Sequence, residues 1–568
     1  MIQTPSARGR FAGAPTVLAC LLCSAATLMP GAAWSQADAG SILRETQQAP
    51  RPVPPLPEIR APKVLQDTGV QVRVTRFVVE GATSIPAAEL EAALADRLNR
   101  EWGFAGLQDA ADAVAAAYRE RGLHATAYLP EQSLDGGVLR IVVVEGRLGQ
   151  LRIEAAAERD LPMSLLREML SRGQRVGQVI DVRALATAAR LVNEVPGVEA
   201  EVSLRAGERS GETDIVVLLQ TRPALAASAS LDNHDSRSTG QTRIGVNAQI
   251  SNVLARGEDW QFNGQVTEGK VYGRLAGSWP LTAGGARLQW QASALRYELV
   301  DRFAASGARG TARTAALGVA QPVLRSATTT LTLTAEAEQR RLFNESAAGV
   351  LSDKDVRSLV LRASGDRSDD WQGGGVWTGS AALGVGDLDL GRNAADRAQD
   401  AAGPQREGRF AKLSGQLGRA QRVSKDGLVW VSTQVQVASR NLDSSEKMSL
   451  GGAYGVRAYP AQEASGDHGA LVTAEYRHRL SDALQLAGFV DHGWVQRDHR
   501  AFGTGSEARS GSLSGVGASA EWRLHESTTA RVTLAQRVGS NPWANADGTD
   551  SDGTRRRPQV WLHLQARF

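Results

Sequence analysis

From residue 224 to the C-terminal Phe568 the chain is written in a two-residue rhythm. At its end Val560, Leu562, Leu564, Ala566 and Phe568 share one face of a strand, and Gln559, Trp561, His563, Gln565 and Arg567 share the other. Segments of roughly ten to fourteen residues repeat this alternation between turns rich in Gly, Asp, Asn and Ser, the spacing expected of a transmembrane barrel. No convincing long helix interrupts them, and no later stretch is apolar enough to span a bilayer as a helix. A slightly hydrophilic average is therefore compatible with a membrane protein, because alternating strands hide their apolar face.

Five strands are placed at 468–480, 484–495, 512–524, 529–539 and 558–568. Eleven further candidates begin near 225, 241, 258, 270, 286, 311, 327, 355, 373, 408 and 427. The expected fold is a transmembrane β-barrel of about 16 antiparallel strands, an even number as closure usually requires. Connections at Ser481-Asp482 and His525-Glu526 are short, whereas 496–511 and 540–557 are long. Short turns face the periplasm and long loops the exterior. The final strand thus descends to the periplasm, and the loop holding Arg457 opens from outside.

The N-terminus reads as a secretory signal over 1–35: Arg8 and Arg10, an apolar run at 17–29, then Ala33-Trp34-Ser35. Both cysteines, Cys20 and Cys23, lie within it, so the mature chain has no thiol chemistry. Losing Arg8 and Arg10 lowers the net charge from +3 to +1, and nucleic acid is not an implied partner. Residues 36–69 form a leader with a short helix at 39–48, Ile42, Leu43 and Thr46 on one side, followed by a proline-rich linker.

Two small α+β units come next, expected at 70–148 and 149–222, with the barrel over 223–568. In the first, a strand through Val72, Val74 and Phe77-Val78-Val79 precedes helices at 87–98 and 107–121, then strands at 123–129 and 138–145. Asp135-Gly136-Gly137 marks the turn between those strands. The second repeats the order, with strands at 151–154, 198–204 and 213–220 and helices at 162–171 and 182–193, the latter capped by Asp181.

One loop departs from polar filler. Val456-Arg457-Ala458-Tyr459-Pro460 sets a single cation among apolar and aromatic groups, which implies packing against protein. An arginine so placed needs a fixed anion. In the strand at 484–494, Phe489, Asp491 and Gly493 share the face opposite Leu484, Leu486, Val490 and Trp494, so Asp491 should point into the lumen. Glu475 and Arg477 share a luminal face one strand earlier. Asp491 and Glu475 are both candidate partners of Arg457.

The order of the small units, with Tyr118-Arg119-Glu120-Arg121-Gly122 before a strand and Leu129-Pro130-Glu131-Gln132 after it, resembles paired POTRA domains. Val456-Arg457-Ala458-Tyr459 resembles the Val-Arg-Gly-aromatic loop motif of the POTRA-barrel superfamily, and Phe489-Val490-Asp491-His492-Gly493 its Phe-x-Asp-x-Gly strand motif. Ala458 stands where glycine is usual, and would be strained if that position required a positive φ. Ser230-Leu231-Asp232-Asn233, Thr239-Gly240, Tyr272 and Trp279-Pro280 add to the likeness. Together these features resemble the TpsB transporters of two-partner secretion, the ShlB/FhaC/HecB group.

The resemblance implies an outer-membrane pore, a monomeric barrel in lipid, with POTRA domains in the periplasm. It implies export of one large β-rich exoprotein of the TpsA type, without ATP, while the leader helix rests in the lumen. It further implies that the arginine loop reaches inward to the aspartate-bearing strand. The alternative is an outer-membrane assembly factor of the same superfamily, which usually carries more POTRA units.

No cofactor or metal is expected, and no enzyme activity. There is no Gly-x-Ser-x-Gly elbow and no His-Glu-x-x-His pair. Asp387 and Asp389 read as solvated carboxylates, and Arg555-Arg556-Arg557 as a surface-anchoring or lipid-facing cluster.

Overall fold

Sixteen antiparallel strands close on themselves, from Leu225–Asp232 to Gln559–Arg567, each hydrogen-bonded to its neighbours in chain order. This computed structural model describes residues 37–49, 53–54, 56, 71–133, 135–156, 160–209, 211–503, 508–555 and 557–568. The expected signal segment and most of the proline-rich linker lie outside the described residues. The two-residue rhythm becomes a cylinder wall with two chemistries. Val490, Trp494, Val532, Leu534, Val560, Leu562 and Leu564 are exposed on the outside, a band suited to hydrocarbon. Asp491, Glu475, Trp561 and Gln559 are buried within.

The strand positions follow the sequence expectation closely, but their lengths do not. Thr329–Ser346 and Gly349–Asp369 run 18 and 21 residues, beyond the roughly ten-residue crossing length of a membrane strand. Their two-residue connection at 347–348 carries the hairpin past the rim. A helix the sequence did not suggest, Ala394–Ala402, lies in the loop after Gly375–Asp389, capped by Asn393 accepting from the backbone N–H of Ala395 and Asp396. At nine residues, rich in alanine and aspartate, it has too little periodicity to stand out.

Below the barrel each small unit is a three-stranded sheet under two helices. In the first, Arg76–Glu80 runs parallel to Val138–Glu145, which pairs antiparallel with Ala125–Tyr128. Leu90, Leu94, Val114, Tyr118, Leu139 and Ile141 fill its core. The helix expected at 87–98 is shorter: Ala87–Ala92 is followed by a 3-10 turn at Ala95–Arg97. Asn99, at φ 61°, then reverses the chain so that Arg100–Trp102 can pair with Val72–Val74. The pull of that small sheet overrides helical spacing. In the second unit Arg147–Ala156 runs parallel to Glu212–Thr221, with Val198–Ala206 antiparallel on its other side.

The second unit is mounted directly on the periplasmic turns of the barrel. Its core cluster includes Ala283 of one turn. Thr187 donates to the Arg325 carbonyl at 2.9 Å, Arg325 pairs with Glu194 at 2.5 Å, and Asn252 donates to the Asp160 carbonyl at 3.3 Å. Gly257 packs beneath Val195 and Leu165, where a side chain would intrude.

Within the first unit the Glu145 carboxylate accepts from the backbone N–H of Thr83 and Ser84 (2.8 and 2.6 Å), from the Tyr118 hydroxyl (2.9 Å) and from the Thr83 hydroxyl. Burial opposes ionisation, but these donors outweigh it and hold the carboxyl down to about 2. Because the folded value is depressed, its stabilisation is complete above the ordinary range near 4.5 and is lost as pH falls towards 2. Tyr118→Phe removes one charge-assisted donor worth about 1.5–3 kcal/mol. Acid loosening of segment 76–145 should then begin at higher pH. Residue-resolved hydrogen exchange across that range will measure the shift.

Candidate functional site

The loop joining Gly427–Ala438 to His468–Arg479 does not stay outside; it folds back into the lumen. Gly452, at φ 109°, turns the chain, and Val456 N–H donates to the Leu450 carbonyl (2.7 Å) while Tyr459 N–H donates to the Val456 carbonyl (3.1 Å). The tip is thus a self-bonded knot. Leu450, Val456, Ala458 and Tyr459, all fully buried, pack on Leu471, Phe489, Val495, Leu513 and Ala535 of the wall.

Arg457 faces two carboxylates that the register places on adjoining strands. Thr473 lies opposite Asp491, and Glu475 opposite Phe489. Arg457 Nε and Nη2 donate to the two Asp491 oxygens at 2.8 and 2.9 Å, its backbone N–H donates to Asp491 Oδ2 at 3.1 Å, and Nη1 donates to Glu475 Oε2 at 2.7 Å. The guanidinium also lies 3.3 Å from the Phe489 ring centroid. Both candidate anions are therefore engaged, Asp491 through the planar fork and Glu475 as a single contact. Arg477 balances Glu475 from the other side at 2.6 Å, and Thr473 Oγ1 donates to Asp491 Oδ1 at 2.9 Å.

The glycines explain how the loop gets close enough. A Cβ on Gly493 would lie 2.7 Å from Leu450 Cδ2, and one on Gly515 only 2.5 Å from Ala458 Cβ. Ala458 is not among the residues with positive φ, so the strain considered for alanine there does not arise. Its methyl is instead accommodated by the bare backbone of Gly515.

Three contacts were not foreseen. Trp561 Nε1 donates to the Arg457 carbonyl at 2.8 Å, Arg537 Nε donates to the Ala458 carbonyl at 3.3 Å, and Arg537 sits 4.5 Å over the Tyr459 ring. Alternation had already assigned Trp561 to the polar face, the signal that could have found it. Nothing comparable marked Arg537. Asp387 and Asp389 lie exposed on an outer strand face, Asp389 accepting from Gly391 N–H at 2.8 Å. Of the arginine run before the last strand, Arg556 lies outside the described residues.

The helix Ala39–Thr46 stands in the lumen. It is buried nearly all round: Ile42, Leu43 and Thr46 are enclosed, and so are Ala39, Gly40, Ser41 and Glu45. Asp38 caps it and accepts from Ser444 Oγ (2.8 Å) and Lys354 Nζ (3.4 Å), while Lys354 also pairs with Asp443 at 2.7 Å. Arg44 donates to the Ser444 and Lys447 carbonyls at 2.7 and 2.9 Å, Lys270 donates to Thr46 Oγ1 at 2.9 Å, and Gln462 donates to Glu45. Much of its seat is the arginine loop itself.

Comparison with known proteins agrees with this architecture. The family model described as haemolysin secretion/activation protein ShlB/FhaC/HecB matches residues 211–523, and a POTRA domain of ShlB type matches 72–146. The chain is 23% identical over 490 residues to the heme/hemopexin transporter protein HuxB of Haemophilus influenzae (strain 86-028NP), covering 84% of each. It is 26% identical over 515 residues to the outer membrane transporter CdiB of Escherichia coli O6:K15:H31 (strain 536 / UPEC), covering 85% of this chain and 84% of that one. The solved structure of CdiB from Escherichia coli superposes with a TM-score of 0.65 at 22% identity, covering 94% and 96% of the two chains. The protein belongs to the ShlB/FhaC/HecB haemolysin secretion/activation family and is an outer-membrane transporter of two-partner secretion.

Proposed function

We propose that this transporter exports one large β-rich partner of the TpsA type through a monomeric barrel whose resting pore is stopped by the leader helix. Residues 70–148 and 149–222 act as paired POTRA domains that receive the unfolded partner. Strand addition is the physical mode: backbone pairing supplies affinity and pockets for alternate side chains supply selectivity. Val198–Ala206, paired on one side with Glu212–Thr221, offers such an edge. The second unit's mounting on the periplasmic turns would hold that edge beside the pore entrance. Folding of the partner outside would bias movement outward, with no nucleotide involved.

Val456, Arg457, Ala458 and Tyr459, with Phe489, Asp491, Gly493 and Glu475, act in this reading as the tether that keeps the loop inside during transport. The observation that carries it is the fork between Arg457 and the fully buried Asp491. A solvated porin charge would have no need of four donors on one carboxylate, three of them from Arg457.

The test is co-expression with a large repeat-rich exoprotein encoded beside this reading frame. Release of that one protein to the medium, dependent on this chain and with other barrels unaffected, supports the proposal. General loss of outer-membrane barrels on depletion would favour an assembly factor instead.

A further inference from the structure

Where the first barrel strand, Leu225–Asp232, meets the last, Gln559–Arg567, closure rests on five register pairs, against thirteen between Leu484–Gln496 and Ser510–His525. The side chain of Asn233 lengthens the seam by imitating backbone: Nδ2 donates to the Val560 carbonyl at 2.9 Å, and Oδ1 accepts from Leu562 N–H at 2.7 Å. At this end of the seam stand Asp232, His234 and His563, whose ligating atoms all lie within 4.8 Å of one another.

His563 Nδ1 is 3.6 Å from Asp232 Oδ2, and His234 Nδ1 is 3.9 Å from Asp232 Oδ1 and 3.1 Å from the Tyr454 hydroxyl, a partner that an ion would displace. Both separations from Asp232 are too long for hydrogen bonds, and the buried His563 Nδ1 has no hydrogen-bond partner among the described residues. The imidazoles stack with centroids 5.5 Å apart and planes at 16°. Ligands held tetrahedrally at about 2.0–2.1 Å from an ion stand about 3.3–3.4 Å from each other. The two pairs to Asp232, which involve its two different oxygens, therefore need to close by about 0.2–0.6 Å, and the remaining ligand separations, all within 4.8 Å, by up to about 1.5 Å.

A cavity of about 110 Å³, lined by His234, Tyr454 and His563 and, further in, by Arg457, Arg477, Arg531 and Glu475, adjoins the group and has room for water as a further ligand. The His234 backbone N–H donates to Asp232 Oδ1 at 3.1 Å, and Arg243 engages both carboxylate oxygens, Nε 3.1 Å from Oδ1 and Nη2 3.1 Å from Oδ2. Arg243 fixes the carboxylate as an outer hydrogen-bond partner does, and its charge tempers the attraction for a cation. Two imidazoles with one carboxylate select a zinc-like ion over calcium or magnesium.

We propose that Asp232, His234 and His563 form a binding site for a divalent transition cation of the zinc class. Two ligands come from the first strand and its loop and one from the last strand, so the ion would clasp the barrel across its shortest pairing. No local motif announces the group, since the two histidines lie at opposite ends of the barrel segment.

The experiment uses the tag-free mature chain in detergent, titrated with Zn2+ and with Co2+, whose absorption reports tetrahedral nitrogen and oxygen ligation. One ion per chain and a higher heat-modification temperature are expected for the wild type. His563→Gln and His234→Gln, checked as folded by heat modifiability, should each weaken binding at least about tenfold and lose the thermal shift. No uptake by the wild type at about 100 µM Zn2+, or unchanged affinity in both folded variants, overturns the proposal. Should a variant fail to fold, diethyl pyrocarbonate labelling of the wild type decides. Zn2+ must protect His234 and His563 selectively over the exposed His525 and the half-buried His478, and equal labelling with and without Zn2+ overturns the site.

Discussion

Arg457→Ala should nearly silence export while the barrel still assembles. The substitution strands Asp491 and Glu475 in a buried setting with their main counter-cation gone, a loss of about 3–5 kcal/mol for one partner of such a pair. That falls on the loop, so its inward conformation should lose about a hundredfold or more in population. The strand ladders that close the cylinder do not pass through Arg457, so insertion should be spared. Surface-released partner protein, scored against heat-modifiable barrel from the same cells, separates the two effects. Arg457→Lys keeps the charge but not the planar fork on Asp491, and partial export is the expected result. Undiminished export by the alanine variant would remove the role assigned to this residue.

Deleting residues 39–46 should have the largest effect on the resting pore. A helix with its side chains is about 10–12 Å across, and this one is buried on nearly all sides by the wall and the arginine loop. In planar bilayers the deleted form should show large, long-lived conductance steps that the intact chain lacks. Lys354→Met is a finer probe, because it leaves Asp38 and Asp443 facing each other without their shared cation. Frequent transient openings are expected from it. Conductance identical to that of the intact chain in both variants would mean that the helix does not block the pore.

The sequence predicted the barrel well because its physics is local. Alternation fixes which side chains meet lipid, and turn composition fixes where strands stop, so most strand starts fell within a few residues of the observed ones. The tether was legible for a related reason: an arginine among apolar neighbours demands an anion, and alternation nominated Asp491 and Glu475. What escaped depends on distant segments. Arg537 reaches the loop tip only through closure of the cylinder, and the pairing of Arg100–Trp102 with Val72–Val74 cuts short the helix expected over 87–98. The need for glycine at 515 arises from the methyl of Ala458, which is remote in sequence and adjacent only in space.

Because Ser444, Lys447 and Gln462 of one loop grip the leader helix while Arg457 of that same loop grips the wall, the two attachments share a free-energy cycle. If loosening of the loop weakens the grip on the helix, then by thermodynamic reciprocity the helix's departure must favour that loosening to the same extent. An incoming chain that evicts the helix therefore also removes part of what steadies the loop. Unblocking and loosening become a single transition, with no separate trigger for the second.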